Sequence, residues 1–242
     1  MLRFYFTIFI NLYRIPYYII KLSYLSRHAT PDNIQKRYTL TRKIARIVQR
    51  TGRIKTISFG QENLPESGGY VMYPNHQGRY DMPGIISEHP KPCSFIMAED
   101  RSHKPITTQV CNILDAKRMK RDDIKQSIQV IFEVAREVEE GKRYVIFPEG
   151  AYEHEHTNNQ MGEFKPGCFK AAMKAKAPIV PVALIDSFKP YEFNSLKKVV
   201  TETHFLKPFF YEEYKDLNTR EVAELVKKRI QDTIDSVLSQ RL

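Results

Sequence analysis

Cysteine is scarce in this chain, with only Cys93, Cys111 and Cys168 among 242 residues. Their odd number, their wide spacing and the lack of any CxxC pair or Cys/His cluster exclude a disulfide scaffold and a recognised metal-ligand pattern. A reduced chain facing the cytosol is the expectation. No stretch of 18 uncharged apolar residues occurs, so no ordinary transmembrane helix is predicted. The apolar start is rich in Tyr and Phe and has no small-residue cleavage site after it, which speaks against a signal peptide. GxSxG is missing, and with it the serine nucleophile elbow. RRM, KH and helix-turn-helix signatures are missing too, as are internal repeats and low-complexity linkers.

What is present suits a folded body: 42% hydrophobic and 27% charged side chains can bury a full core. The charge is unevenly placed. The whole chain carries a formal +10, which by itself would suggest nucleic acid. Residues 1–55, however, hold every unit of the excess, with twelve Lys or Arg against the single acid Asp32. The remainder, 56–242, is nearly neutral. A local basic segment interleaved with aromatics points to a docking surface and away from a nucleic-acid partner.

That segment opens LRFYFTIFINLYRIPYYIIKLSYL, apolar and aromatic but broken by Arg3, Arg14, Pro16 and Lys21. The pattern predicts an anchor lying in a membrane interface, with Tyr at headgroup depth and Arg or Lys snorkelling outward. A helix packed on the body is the alternative. From Tyr38 to Lys55, Leu40, Ile44, Ile47 and Val48 share one helical face while Lys43, Arg46, Arg50 and Arg53 take the other. Such a basic amphipathic helix fits an anionic leaflet, and it equally fits a solvated protein surface.

Beyond it, Tyr70–Tyr73, Tyr144–Phe147 and Ile179–Leu184 read as buried strands. Ile124, Ile128, Ile131, Val134, Ala135 and Val138 mark a helix that stops at Gly141, and another starts near Pro166. Asn218 and Glu221 cap a last helix striped by Val222, Leu225, Val226, Ile230, Ile234, Val237 and Leu238. The predicted class is α/β: a mixed, largely parallel sheet flanked by helices, with residues 1–55 as membrane-interface helices and 56–242 as the catalytic-sized body.

Two strand ends carry polar chemistry, where α/β sheets place ligands. In YPNHQGRYDMPGI, His76 follows the strand and Asp81 comes five residues later. Across a loop, Asp81 can fix one ring nitrogen of His76 and leave the other to take a proton, with a substrate hydroxyl as the nucleophile. Asp81 as a simple helix cap is the bland alternative. In YVIFPEGAYEHEH, Glu149 can hold a polyol hydroxyl and Gly150 permits close backbone approach. His154 and His156 alternate, which on a strand could bind metal, but no partner ligands with a recognised spacing follow, so a polar loop is the better reading.

These strings, in this order, resemble the lysophosphatidic acid acyltransferase family, the PlsC-like glycerolipid acyltransferases. NHQGRYD matches their NHxxxxD block, NILDAKRMKRDD resembles a weak second block, FPEG matches the core of FPEGTR, and IVPVAL matches the fourth block. FKPGCFKAA resembles the stretch that follows the third. The resemblance implies acyl transfer from a thioester, carried by coenzyme A or acyl carrier protein, to a hydroxyl of a lysophospholipid. It implies no metal and no further cofactor. His76 and Asp81 would be the catalytic pair, with Asn75, Glu149 and Gly150 at the acceptor. Ala151 and Tyr152 stand where the family has Thr and an Arg that helps grip the acceptor phosphate, and Lys117, Arg118 and Arg121 are the expected substitute cations. The implied setting is the cytoplasmic side of a membrane, peripheral or monotopic. A membrane-binding protein without transferase activity and a thioester hydrolase are the alternatives.

Overall fold

Runs of Val, Ile, Tyr and Phe alternate with helical stretches, and the computed structural model, which describes residues 2–151 and 158–241, joins them into one seven-stranded sheet. The strands are β1 (Ile54–Phe59), β2 (Tyr70–Pro74), β3 (Ser94–Ala98), β4 (Lys117–Met119), β5 (Arg143–Val145), β6 (Ile179–Ile185) and β7 (Val199–Phe205). The helices are α1 (Leu2–Asn11), α2 (Ile15–Arg27), α3 (Ile34–Thr51), α4 (Asp81–Glu88), α5 (Glu99–Ser102), α6 (Thr107–Ile113), α7 (Ile124–Glu139), α8 (Lys170–Lys174), α9 (Lys189–Glu192), α10 (Tyr211–Tyr214) and α11 (Thr219–Ser239). Across the sheet the order is β1-β7-β6-β2-β5-β3-β4. Neighbours are parallel except β6 and β7, so the sheet is mixed and largely parallel, as expected.

The central strands read as unbroken apolar runs because both faces are covered. On β2, Val71 and Tyr73 enter one core cluster with Val134 of α7 and Val226 of α11. Tyr70 and Met72, pointing the other way, enter a second cluster with Leu40 of α3 and Ile85 of α4. The predicted stripe on α7 holds from Ile131 onward, whereas Ile124 is 75% exposed and Ile128 is exposed as well. The helix predicted near Pro166 begins as a 3-10 turn, Pro166–Phe169, before α8. On α11 the cap is reciprocal: Asn218 Oδ1 accepts from the Glu221 amide, and Glu221 accepts the Asn218 N–H at 2.7 Å.

The predicted division at residue 55 does not separate two packed units. It falls inside β1, and Leu22, Leu25, Tyr38, Leu40 and Ala45 share a core cluster with Met72 and Val180. Arg53 lies past the end of α3 and is not part of its basic face. Nor does Arg3 snorkel outward. It is 2% exposed, and its guanidinium donates to the carbonyls of Gly52 (2.8 Å), Ser195 (2.8 Å) and Lys197 (2.7 Å), pinning α1 to the body. The rest of this segment does turn apolar side chains outward: Phe9 of α1 is 76%, Tyr13 between the two helices 71% and Ile20 of α2 69% exposed. No helix among the described residues is long and apolar enough to cross a membrane.

Candidate active site

The chain leaves β2 through Asn75 and His76 and enters α4 at Asp81, so the predicted strand–loop–helix turn is present. His76 Nδ1 lies 2.6 Å from Asp81 Oδ2, and the carboxylate is fully buried. The amides of Gln77 (2.6 Å) and Gly78 (2.9 Å) donate to the same oxygen, while the Ser187 hydroxyl donates to Oδ1 at 2.5 Å. Four donors thus replace the water that burial removed, and they hold Asp81 as an oriented carboxylate. With Nδ1 turned to Asp81, Nε2 is the nitrogen that can take a proton. The imidazole stacks on Phe147, ring centroids 4.1 Å apart, which fixes its plane.

Asn75 is turned to the backbone of a neighbouring strand. It is wholly buried, and its amide brackets the backbone of Leu184 on β6, accepting from the N–H at 2.7 Å and donating to the carbonyl at 3.0 Å. It continues the β2–β6 pairing after Pro74, which ends β2 and has no N–H to give. Glu149 is also committed to the scaffold: Oε1 accepts the His76 N–H (2.8 Å) and Oε2 the Gly162 N–H (2.9 Å). Burial pushes its carboxyl upward in pKa, and those two amides oppose the shift. Gly150, at φ 74°, turns the chain sharply away from the strand end. Because the amides of His76, Gln77 and Gly78 are already engaged, the tetrahedral oxyanion of an acyl transfer would need other donors.

The expected cation cluster does not gather at His76. β4, with Lys117 and Arg118, is separated from β2 by β5 and β3, about 14 Å at ordinary strand spacing. Lys117 is paired with Glu137 at 2.6 Å, and Arg118 donates to Asn112 (2.6 Å) and Ser102 (3.1 Å). Arg121 lies exposed beyond the strand. Beside Asp115, within NILDAKRMKRDD, Arg37 of α3 stands 3.0 Å away, buried and also bound to the Ile113 carbonyl. The paired histidines His154 and His156, together with Tyr152, lie outside the described residues.

Several contributors had escaped sequence reasoning. Ser187 and the left-handed Asp186 (φ 61°) turn the end of β6 onto Asp81. Gln77 accepts the Ser187 N–H at 2.8 Å and donates to Asn159 at 2.9 Å. Asn159 donates to Asp186 at 3.0 Å, and Arg241, near the C-terminal end, grips Asp186 at 2.8 Å. A polar Asp-Ser pair ending the apolar run IVPVALI was the available signal.

A mostly parallel α/β sheet that holds a histidine against a buried carboxylate just past a strand's carboxyl end defines the class: an α/β protein with a histidine–carboxylate pair at the sheet's edge of strand ends. More narrowly, the model of the Acyltransferase family matches residues 56–185, and the chain belongs to that family. Among similar curated proteins, the human 1-acyl-sn-glycerol-3-phosphate acyltransferase alpha is 30% identical over 52% of this chain and 44% of its own length. The 1-acyl-sn-glycerol-3-phosphate acyltransferase of Saccharomyces cerevisiae is 26% identical over 74% of this chain and 59% of its own. The match thus spans about half the length of these curated relatives. The crystal structure of the 1-acyl-sn-glycerophosphate acyltransferase PlsC from Thermotoga maritima covers 98% of this chain and 94% of its own, with a TM-score of 0.78 and 16% identity, a likeness of fold.

Proposed function

We propose that the protein moves a fatty acyl group from a thioester, an acyl-CoA or acyl carrier protein, to a hydroxyl of lysophosphatidic acid or a closely related glycerolipid in phospholipid synthesis. The single observation that carries this is the 2.6 Å contact of His76 with the buried Asp81 inside NHQGRYD. His76 Nε2 removes the acceptor's hydroxyl proton as that oxygen attacks the thioester carbonyl, and Asp81 stabilises the imidazolium. The tetrahedral adduct collapses by breaking the C–S bond, and Nε2 returns the proton to the departing thiolate. No covalent acyl-enzyme, metal or further cofactor enters this scheme. Glu149 and Gly150 shape the acceptor side, and Asn75 supports it from beneath. Arg121, exposed beyond β4, is left to meet the donor or the lipid surface.

The outward aromatics of α1 and α2 support a monotopic or peripheral seat on the cytoplasmic face of a membrane. Lys21 donates to the Tyr17 hydroxyl at 2.9 Å, so cation and aromatic are interleaved there as at a headgroup boundary.

The test offers the purified full chain lysophosphatidic acid with each donor and reads products by mass spectrometry. Wild type should form phosphatidic acid, and His76→Ala should lose at least about a hundredfold in rate. Free fatty acid as the sole product would establish a hydrolase, and no turnover with either donor would sink the transferase reading.

A further inference from the structure

Gly150 lacks a side chain, and Lys165 uses the space. A Cβ at position 150 would lie 2.9 Å from Lys165 Nζ and 3.2 Å from its Cε, so the lysine stem lies across the turn that follows β5. Its root is tied to the same turn, because the Lys165 N–H donates to the Pro148 carbonyl at 2.9 Å. Glu149 stitches that turn in two directions, to the His76 amide and to the Gly162 amide three residues before Lys165. One short loop therefore carries the Lys165 ammonium beside the turn whose carboxylate holds the base.

Lys165 is an exposed residue, and no carboxylate among the described residues forms a salt bridge with its ammonium. Glu149 does not neutralise it, since its oxygens are turned to backbone amides. The two residues after Gly150, Ala151 and Tyr152, bring no charge, and Lys117 and Arg118 are bound elsewhere. A phosphate monoester needs a cation within reach of the hydroxyl being acylated, and lysine meets it as a mobile point charge with three donors.

We propose that Lys165 grips the acceptor's phosphate and thereby sets the preference for a phosphorylated acceptor; this rests on the acyltransferase reading above. Lys165→Gln keeps the backbone N–H and the length of the stem but removes the charge. In the full chain it should raise KM for lysophosphatidic acid at least tenfold, mainly in KM and little in kcat, while KM for monoacylglycerol moves less than twofold. Lys165→Arg should stay within about threefold of wild type for lysophosphatidic acid. Independently of any variant, saturating lysophosphatidic acid should protect Lys165 from an amine-reactive label mapped by mass spectrometry. Equal KM changes on both acceptors, an unchanged KM for lysophosphatidic acid, or labelling that lysophosphatidic acid does not slow would overturn the assignment while leaving the transferase reading intact. A wild type that forms no phosphatidic acid from either donor would remove both.

Discussion

Replacing Ser187 with alanine tests whether the end of β6 belongs to the catalytic unit. Its hydroxyl donates to Asp81 Oδ1 at 2.5 Å, and the two residues are 3% and 0% exposed. Oδ2 keeps three donors in Ser187→Ala, but Oδ1 is left charged and unsolvated. A hydrogen bond to a buried charge is worth about 2 kcal/mol, so the variant should unfold about 4–8 °C earlier for a chain of this size. The loosened carboxylate also orients His76 less well. We expect kcat to fall about tenfold, equivalent to about 1.4 kcal/mol in the barrier, with KM for lysophosphatidic acid within twofold. Ser187→Thr, which keeps the hydroxyl, should recover most of kcat. Thermal melts and steady-state kinetics on the same preparations decide the matter. A purely structural serine would lower the melting temperature without lowering kcat of the folded enzyme, and that result would refute the reasoning.

Three further outcomes follow from other parts of the fold. His89 is buried and held neutral, its Nδ1 donating to the Lys91 carbonyl (2.7 Å) and Nε2 accepting from Tyr70 (2.7 Å); desolvation pushes its pKa down to about 3. The unfolded chain then takes up a proton that the folded one refuses, so this contribution is intact above about pH 6.5 and is lost towards pH 3 with a slope up to about 1.4 kcal/mol per unit. Urea titrations across that window should show the slope in wild type and about one proton less in His89→Gln. Arg3→Met should destabilise by about 3 kcal/mol, because three carbonyls lose a charged donor; a melt matching wild type would show that α1 is not pinned. Phe9→Ser combined with Tyr13→Ser and Ile20→Ser should cut co-sedimentation with anionic vesicles at least tenfold without altering the melt, and unchanged binding would refute the interfacial face.

The parts of the site legible in the sequence were those in which chemistry follows directly on a strand. His76 and Asp81 sit five residues apart, so an apolar run, a loop and a helix start were enough to bring them together. For Asn75 and Glu149 the sequence marked the strand ends but not the backbone amides that their side chains hold, because a polar residue at a strand end looks the same whether it meets a ligand or a neighbouring amide. Ser187 lies 106 residues from Asp81, and no periodicity relates the two. Lys117 and Arg118 show the opposite limit: they are close in sequence to a motif, but the sheet order puts two strands between them and β2 and gives them partners.

The basic N-terminal segment shows the same limit, and it changes how membrane binding must be tested. Charge counting located the positive excess in residues 1–55, and helical spacing found the faces of α3, but neither reveals which cation is buried. Arg3 and Arg37 both face inward onto backbone carbonyls, whereas Lys21 stays beside the exposed Tyr17. Removing the segment would therefore strip Leu22, Leu25, Tyr38 and the Arg3 clamp from the core together with the aromatic face. Loss of vesicle binding after such a deletion would report unfolding as readily as lost insertion. Substitutions confined to Phe9, Tyr13 and Ile20 separate the two, because these side chains belong to no core cluster and most of their surface is available to a lipid surface.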